Sequence, residues 1–170
     1  MKKYLRILIL ATALICAMSI FSACNGEQEN EGSAKIEYYI EYNGTKIELD
    51  KNATPVLSAL GTPNDTISLG DCGGFGAQTK YTYDDFVLYT VTSGSGETID
   101  QIALSNDLVE TPKGICVGDS SDDVIAAYGE PAVKTDKKIE YESGSLVLKF
   151  GLENGAVKSI NFIRITASAN

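Results

Sequence analysis

One stretch of this chain recurs 68 positions further on (115 − 47), and that recurrence limits the fold more than any other feature. Residues 115–131 lie without gaps over residues 47–63, with Ile115 on Ile47, Val124 on Val56, Ala127 on Ala59, Gly129 on Gly61 and Pro131 on Pro63. The matches fall on a strand, on one face of a short helix and on the helix stop, so physical roles recur along with letters. Asn52 or Thr54 with Pro55 opens the first helix, and Gly61 followed by Pro63 ends it.

The likeness continues beyond each helix. Residues 81–84 and 86–90 correspond to 139–142 and 146–150, and residues 99–104 to 157–162. Each copy reads as a short helix followed by a three-stranded antiparallel meander, with turns at Asp84-Asp85, residues 93–96, Ser143-Gly144 and Asn154-Gly155. A single copy is too small to cover its own sheet. Two side by side can share one sheet with both helices on one face. The expected class is α+β, with two tandem repeats at 35–110 and 111–170. Ahead of the first helix, Ile36, Tyr38, Ile40 and Tyr42 alternate with Glu37, Tyr39 and Glu41. Asn43-Gly44 then signals a type I′ hairpin, and residues 46–49 form the returning strand.

The chain begins with a different kind of pattern. Lys2, Lys3 and Arg6 precede an apolar run over residues 7–20, and small residues lead into Cys24, the order of an export signal. Phe21-Ser22-Ala23-Cys24 resembles the lipobox of bacterial lipoproteins, departing from it where Phe21 replaces the usual Leu. That resemblance implies removal of residues 1–23, lipidation of Cys24 and an extracytoplasmic body anchored to the cell membrane. Residues 24–34 lack apolar periodicity and read as a flexible tether. Plain secretion is one alternative. An uncleaved membrane helix is another, although residues 7–23 fall short of the roughly 20 apolar residues a bilayer needs.

Cleavage before Cys24 leaves 147 residues (170 − 23) and a net charge of −12 (11 basic, 23 acidic). Such a surface argues against nucleic acid and anionic lipid headgroups as partners. Histidine is absent, which removes His-dependent triads and His metal sites. Cys16 leaves with the signal, so Cys72 and Cys116 remain as a candidate disulfide or as two free thiols. No motif calls for a metal or a cofactor. The acidic run at residues 118–123 lacks the ligand spacing of an EF-hand, and a helix cap with a Ser120-x-x-Asp123 box accounts for it. The glycines at 73, 74 and 76 precede a strand rather than a helix, so they make no phosphate cradle.

The arrangement resembles the tandem helix-plus-sheet repeats of the β-lactamase inhibitor protein and of the SmpA/OmlA outer-membrane lipoproteins. Residues 60–63, 72–76, 81–83, 114–120 and 128–129 are also similar to lipoproteins of Gram-positive anaerobes. These resemblances imply a fold, an envelope location and a role in recognition. Strand parity places Phe86 and Leu88 toward the helices, and Tyr39, Val87, Tyr89 and Val91 on an open face suited to an envelope protein or a glycan. The expected function is that of a monomeric binding or scaffolding module. A wall-active hydrolase using Asp84 and Asp85, or a small-ligand binder, is the alternative.

Overall fold

Two eight-residue helices and ten strands account for the regular structure of the computed structural model, which describes residues 36–71, 76–94 and 96–165. Strands β1 (Tyr39–Tyr42) and β2 (Thr45–Glu48) form the expected hairpin, with φ of 49° at Asn43 and 77° at Gly44 as a type I′ turn requires. Helix α1 (Ala53–Leu60) follows. Asn52 caps it by accepting from the Thr54 N–H at 3.0 Å, and Gly61 stops it at φ 76°. Helix α2 (Ser121–Tyr128) starts with a full capping box between Ser120 and Asp123 and stops at Gly129, φ 81°. Helices this short do not persist alone; packing holds them. Ala53, Val124 and Tyr128 are the residues they bury.

Strands β3 (Asp65–Asp71), β4 (Ala77–Thr82), β5 (Phe86–Ser93) and β6 (Gly96–Leu104) follow α1. Strands β7 (Val133–Lys134), β8 (Lys138–Ser143), β9 (Leu146–Glu153) and β10 (Ala156–Arg164) follow α2. All eight belong to one antiparallel sheet in the order β3-β4-β5-β6-β10-β9-β8-β7. Each meander therefore has four strands rather than the expected three. β7 has two residues, too few for a pattern, and in β3 the alternating Ile67 and Leu69 stay exposed, so that short alternation reports no buried face; backbone pairing at the sheet edges defines both strands.

The two halves meet at β6 and β10, where Ile102 lies opposite Phe162, Ala103 opposite Asn161 and Leu104 opposite Ile160. Each helix start is joined to the last strand of its own half. Asp50 N–H donates to Ile99 O and Ile99 N–H to Lys51 O, both at 2.9 Å. In the other half Gly118 N–H donates to Val157 O and Val157 N–H to Asp119 O, both at 2.8 Å. Asp100 and Lys158 are the unpaired residues at the two register shifts, four pairs from the turn in β5–β6 and two pairs in β9–β10. The longer first hairpin corrects one expected correspondence. Phe86 and Leu88 face Leu104 and Ile102, and Leu148 and Phe150 face Phe162 and Ile160, so by register it is Leu148 and Phe150, not Leu146 and Leu148, that hold the matching positions beside β10. A two-residue shift preserves the face.

The core lies on one side of the sheet. Phe86, Leu88, Ile102, Leu104, Leu148, Phe150, Ile160 and Phe162 supply its floor. Ala53, Val124 and Tyr128 cover it from the helices, and Tyr38, Ile40, Ile47 and Leu49 cover it from the β1–β2 hairpin. The hairpin thus sits on the helix side as a separate two-stranded sheet.

A candidate docking surface

β5 presents Phe86, Leu88 and Thr90 to the core and turns Val87, Tyr89 and Val91 the other way. Register extends that second face across the sheet. Tyr89 lies beside Lys80 and Gln101, Gln101 beside Ile163, and Ile163 beside Val147. Val87 lies beside Ala103, and Ala103 beside Asn161. Val91 and Val147 are the two buried apolar residues among the described ones that stay out of the main core cluster. Toward β8 the surface turns charged: Glu140 pairs with Lys138 at 2.8 Å and Lys149 at 3.5 Å, and those ammonium groups hold its carboxyl below the usual range. Val87, Tyr89, Ala103 and Ile163 surround the Gln101–Asn161 hydrogen-bonded pair, and charge borders them, a mix of apolar and polar groups that suits a non-obligate protein interface. Among the described residues, neither helix nor the hairpin contributes to this side.

Three of the four residues expected on one face are therefore together. Tyr39 is not. It belongs to the hairpin on the helix side and points outward there, with the Lys46 Nζ 4.0 Å from its ring centroid. Parity reports which side of its own strand a residue occupies, and the hairpin does not share the large sheet.

Around Tyr39 are two hollows that sequence reading missed, of about 460 and 620 Å³. Tyr38 lines the first; burial, then the Glu142 charge, pushes its hydroxyl up to about 12. That hydroxyl is buried with no hydrogen-bond partner. Leu108, 71% exposed, stands at the second. The alternation of Glu37 and Glu41 with apolar residues was the available signal, but not the separation of the hairpin from the main sheet.

The carboxylates proposed for hydrolysis do not converge. Asp84 accepts from Asn64 Nδ2 at 2.6 Å, while Asp85 accepts from the Tyr42 hydroxyl at 2.8 Å and from Asn106 Nδ2 at 3.4 Å. The acidic run at residues 118–123 works as a cap: the Ser120 hydroxyl and N–H bond to Asp123 and lower its pKa, and Asp119 accepts the Cys116 N–H at 2.8 Å. Among the described residues no group of three or more acidic or Cys side chains could hold a metal ion. Gly76, at φ 110°, has no room for a Cβ, which would lie 2.3 Å from Thr92 O.

Cys116 has a free thiol, pushed up to about 11 by burial and by the hydrogen bond to Asp119. Cys72 and Cys24 lie outside the described residues. Asp71, the residue before Cys72, sits level with Glu97 at one end of the sheet, whereas Cys116 is two residues from Gly118, which bonds Val157 at the other. About ten residues along the strands and four strand spacings separate these places, on the order of 35 Å. A disulfide needs Cα atoms within about 7 Å, and one residue of chain does not close that gap.

No helix among the described residues is long and apolar enough to cross a membrane. No protein-family model, no curated protein and no solved structure matches the chain.

Proposed function

We propose that this protein is a lipid-anchored recognition module of the cell envelope, exported through residues 1–23, tethered at Cys24, and docking a protein partner on the uncovered sheet face. The observation that carries the docking part is the row from Lys80 through Tyr89, Gln101 and Ile163 to Val147, in which Tyr89 and Ile163 flank a polar Gln101 on an eight-stranded sheet. A rigid sheet loses little conformational freedom on binding, and a tyrosine adds large contact area with few rotatable bonds. The anchoring part rests on the order of charge, apolar run and small residues before Cys24.

We further propose that the halves are tandem repeats related by a twofold axis through the Ala103–Asn161 pair, as in the inhibitor and lipoprotein folds they resemble. Support comes from the matching joints: Asn52 bridges Thr98 as Ser120 bridges Ala156, and Gly61 and Gly129 end their helices with the same backbone bond. One experiment addresses location and docking together, in-cell crosslinking with the native chain, Cys24→Ala and Tyr89→Ala. The proposal expects one reproducible envelope adduct from the native chain, lost or reduced in both variants. An adduct unchanged in Tyr89→Ala removes the sheet face from the account, and a Cys24→Ala chain that stays membrane-bound removes the anchor.

A further inference from the structure

The outer edge of the β1–β2 hairpin is a second recognition site of a different kind. Among the described residues β1 pairs with β2 alone. Leu49 N–H donates to Tyr38 O at 3.0 Å, which sets the phase of the ladder. Backbone groups alternate in direction along an antiparallel strand, so Tyr38, Ile40 and Tyr42 bond toward β2 while Tyr39 and Glu41 point theirs away. The N–H and C=O groups of Tyr39 and Glu41 are thus a free edge, open to one more strand.

The two hollows meet at Tyr39 as a trough beside the hairpin, the first taking in Lys46 and Glu48 of β2 and the second Glu41, Tyr42 and Asn43. Its walls are strongly acidic. Glu37, Glu48 and Glu142 line the first hollow, and Glu41, Asp85 and Glu110 line the second. Lys46 is the one cation among the described lining residues, and it is held by Glu48 at 3.0 Å and by the Tyr39 ring. Tyr38, 7% exposed, lines the first hollow while its hydroxyl is buried. Leu108 and Pro112 in one hollow and Leu146 in the other supply apolar contacts between the charges.

We infer that the β1 edge takes up an extended, lysine- or arginine-rich segment of a partner protein as a third strand. Main-chain bonds to Tyr39 and Glu41 give affinity, and the carboxylates select the basic side chains. Charge decides between occupants. A second copy pairing edge to edge would set Glu37 and Glu41 against themselves, and residues 25–35 of this chain bring Glu27, Glu29 and Glu31, of the same sign. A basic foreign strand neutralises what either of those would repel.

The test uses the full chain in detergent with three nine-residue peptides: alternating lysine and valine, the same peptide N-methylated at alternate residues, and alternating glutamate and valine. Binding is read by fluorescence anisotropy, and backbone protection by amide hydrogen exchange. The lysine peptide binds, weakens as salt rises, and slows exchange at Tyr39 and Glu41. N-methylation weakens it by about fivefold or more as donors are lost, and Glu41→Gln weakens it by about two- to fivefold. Tyr89→Ala leaves binding unchanged, which separates this edge from the sheet face. Any one of four results overturns the inference: no binding of the lysine peptide, equal binding of the glutamate or N-methylated peptide, loss of binding in Tyr89→Ala, or unprotected Tyr39 and Glu41 amides. A dimer of the chain alone that Glu41→Pro abolishes assigns the edge to a second copy instead.

Discussion

Phe162 and Ile163 are consecutive on β10 and point to opposite sides of the sheet, so truncating each in turn measures how differently those sides are covered. Phe162 is fully buried between Ile102 and Leu148, beneath the core. Phe162→Ala removes a ring that nothing can replace, and the cavity adds to the lost transfer energy for about 3–5 kcal/mol. Ile163 is half-buried, flanked by Gln101 and Val147, with no helix or hairpin above it among the described residues. Solvent fills the space left by Ile163→Ala, so the cavity contribution vanishes and about 1 kcal/mol remains. For a body of this size those costs correspond to falls in Tm of roughly 10–15 °C and 3 °C. Urea titration with an unchanged m-value separates them. Losses of equal size for both variants would refute the reasoning, because they would mean that the Ile163 side is packed like a core.

Three other perturbations follow from the local geometry. Ser120→Ala removes the cap of α2 and is expected to cost about 1 kcal/mol in urea titration, with Asn52→Ala costing a similar amount at α1. Glu140 has its folded pKa depressed by Lys138 and Lys149, so its contribution is present above the unfolded value near 4.5 and fades as pH falls through the lower folded value. Glu140→Gln should flatten the acid limb of the stability profile measured by thermal melts, and an unchanged slope would discard that pair. Cys116, with a pKa of about 11, should alkylate slowly at pH 8 and faster toward pH 11 by peptide mass spectrometry. Asp119→Asn should move the rise to lower pH, since it removes the charge that opposes the thiolate.

Punctuation residues made much of the fold legible. Asn43-Gly44, Gly61, Gly129 and the Ser120–Asp123 box each require one local geometry, and each has it here. Alternation along β5 placed Phe86 and Leu88 inside correctly because parity survives a two-residue error in alignment. β3 was overlooked because its only signal, Ile67 and Leu69 alternating with Thr66 and Ser68, is two residues long and stays exposed, and its pairing rests on the backbone of β4. Tyr39 shows the limit of parity. Its orientation on β1 is readable, but the attachment of β1 to the helix side depends on long-range contacts of Ile40 and Ile47 with the core. The trough beside it and the separation of Cys116 from Asp71 depend on the same long-range placement, so neither had a sequence signal.

The most direct test of the docking claim places a photoreactive amino acid at position 89, 163 or 122 and illuminates intact cells. Positions 89 and 163 lie on the sheet face away from the helices, and Asp122 lies in the first turn of α2 on the other side. One discrete adduct shared by 89 and 163 and missing from 122 is the predicted result. The same adduct from 122, with none from 89 or 163, would contradict the account by moving the docking surface to the helix side.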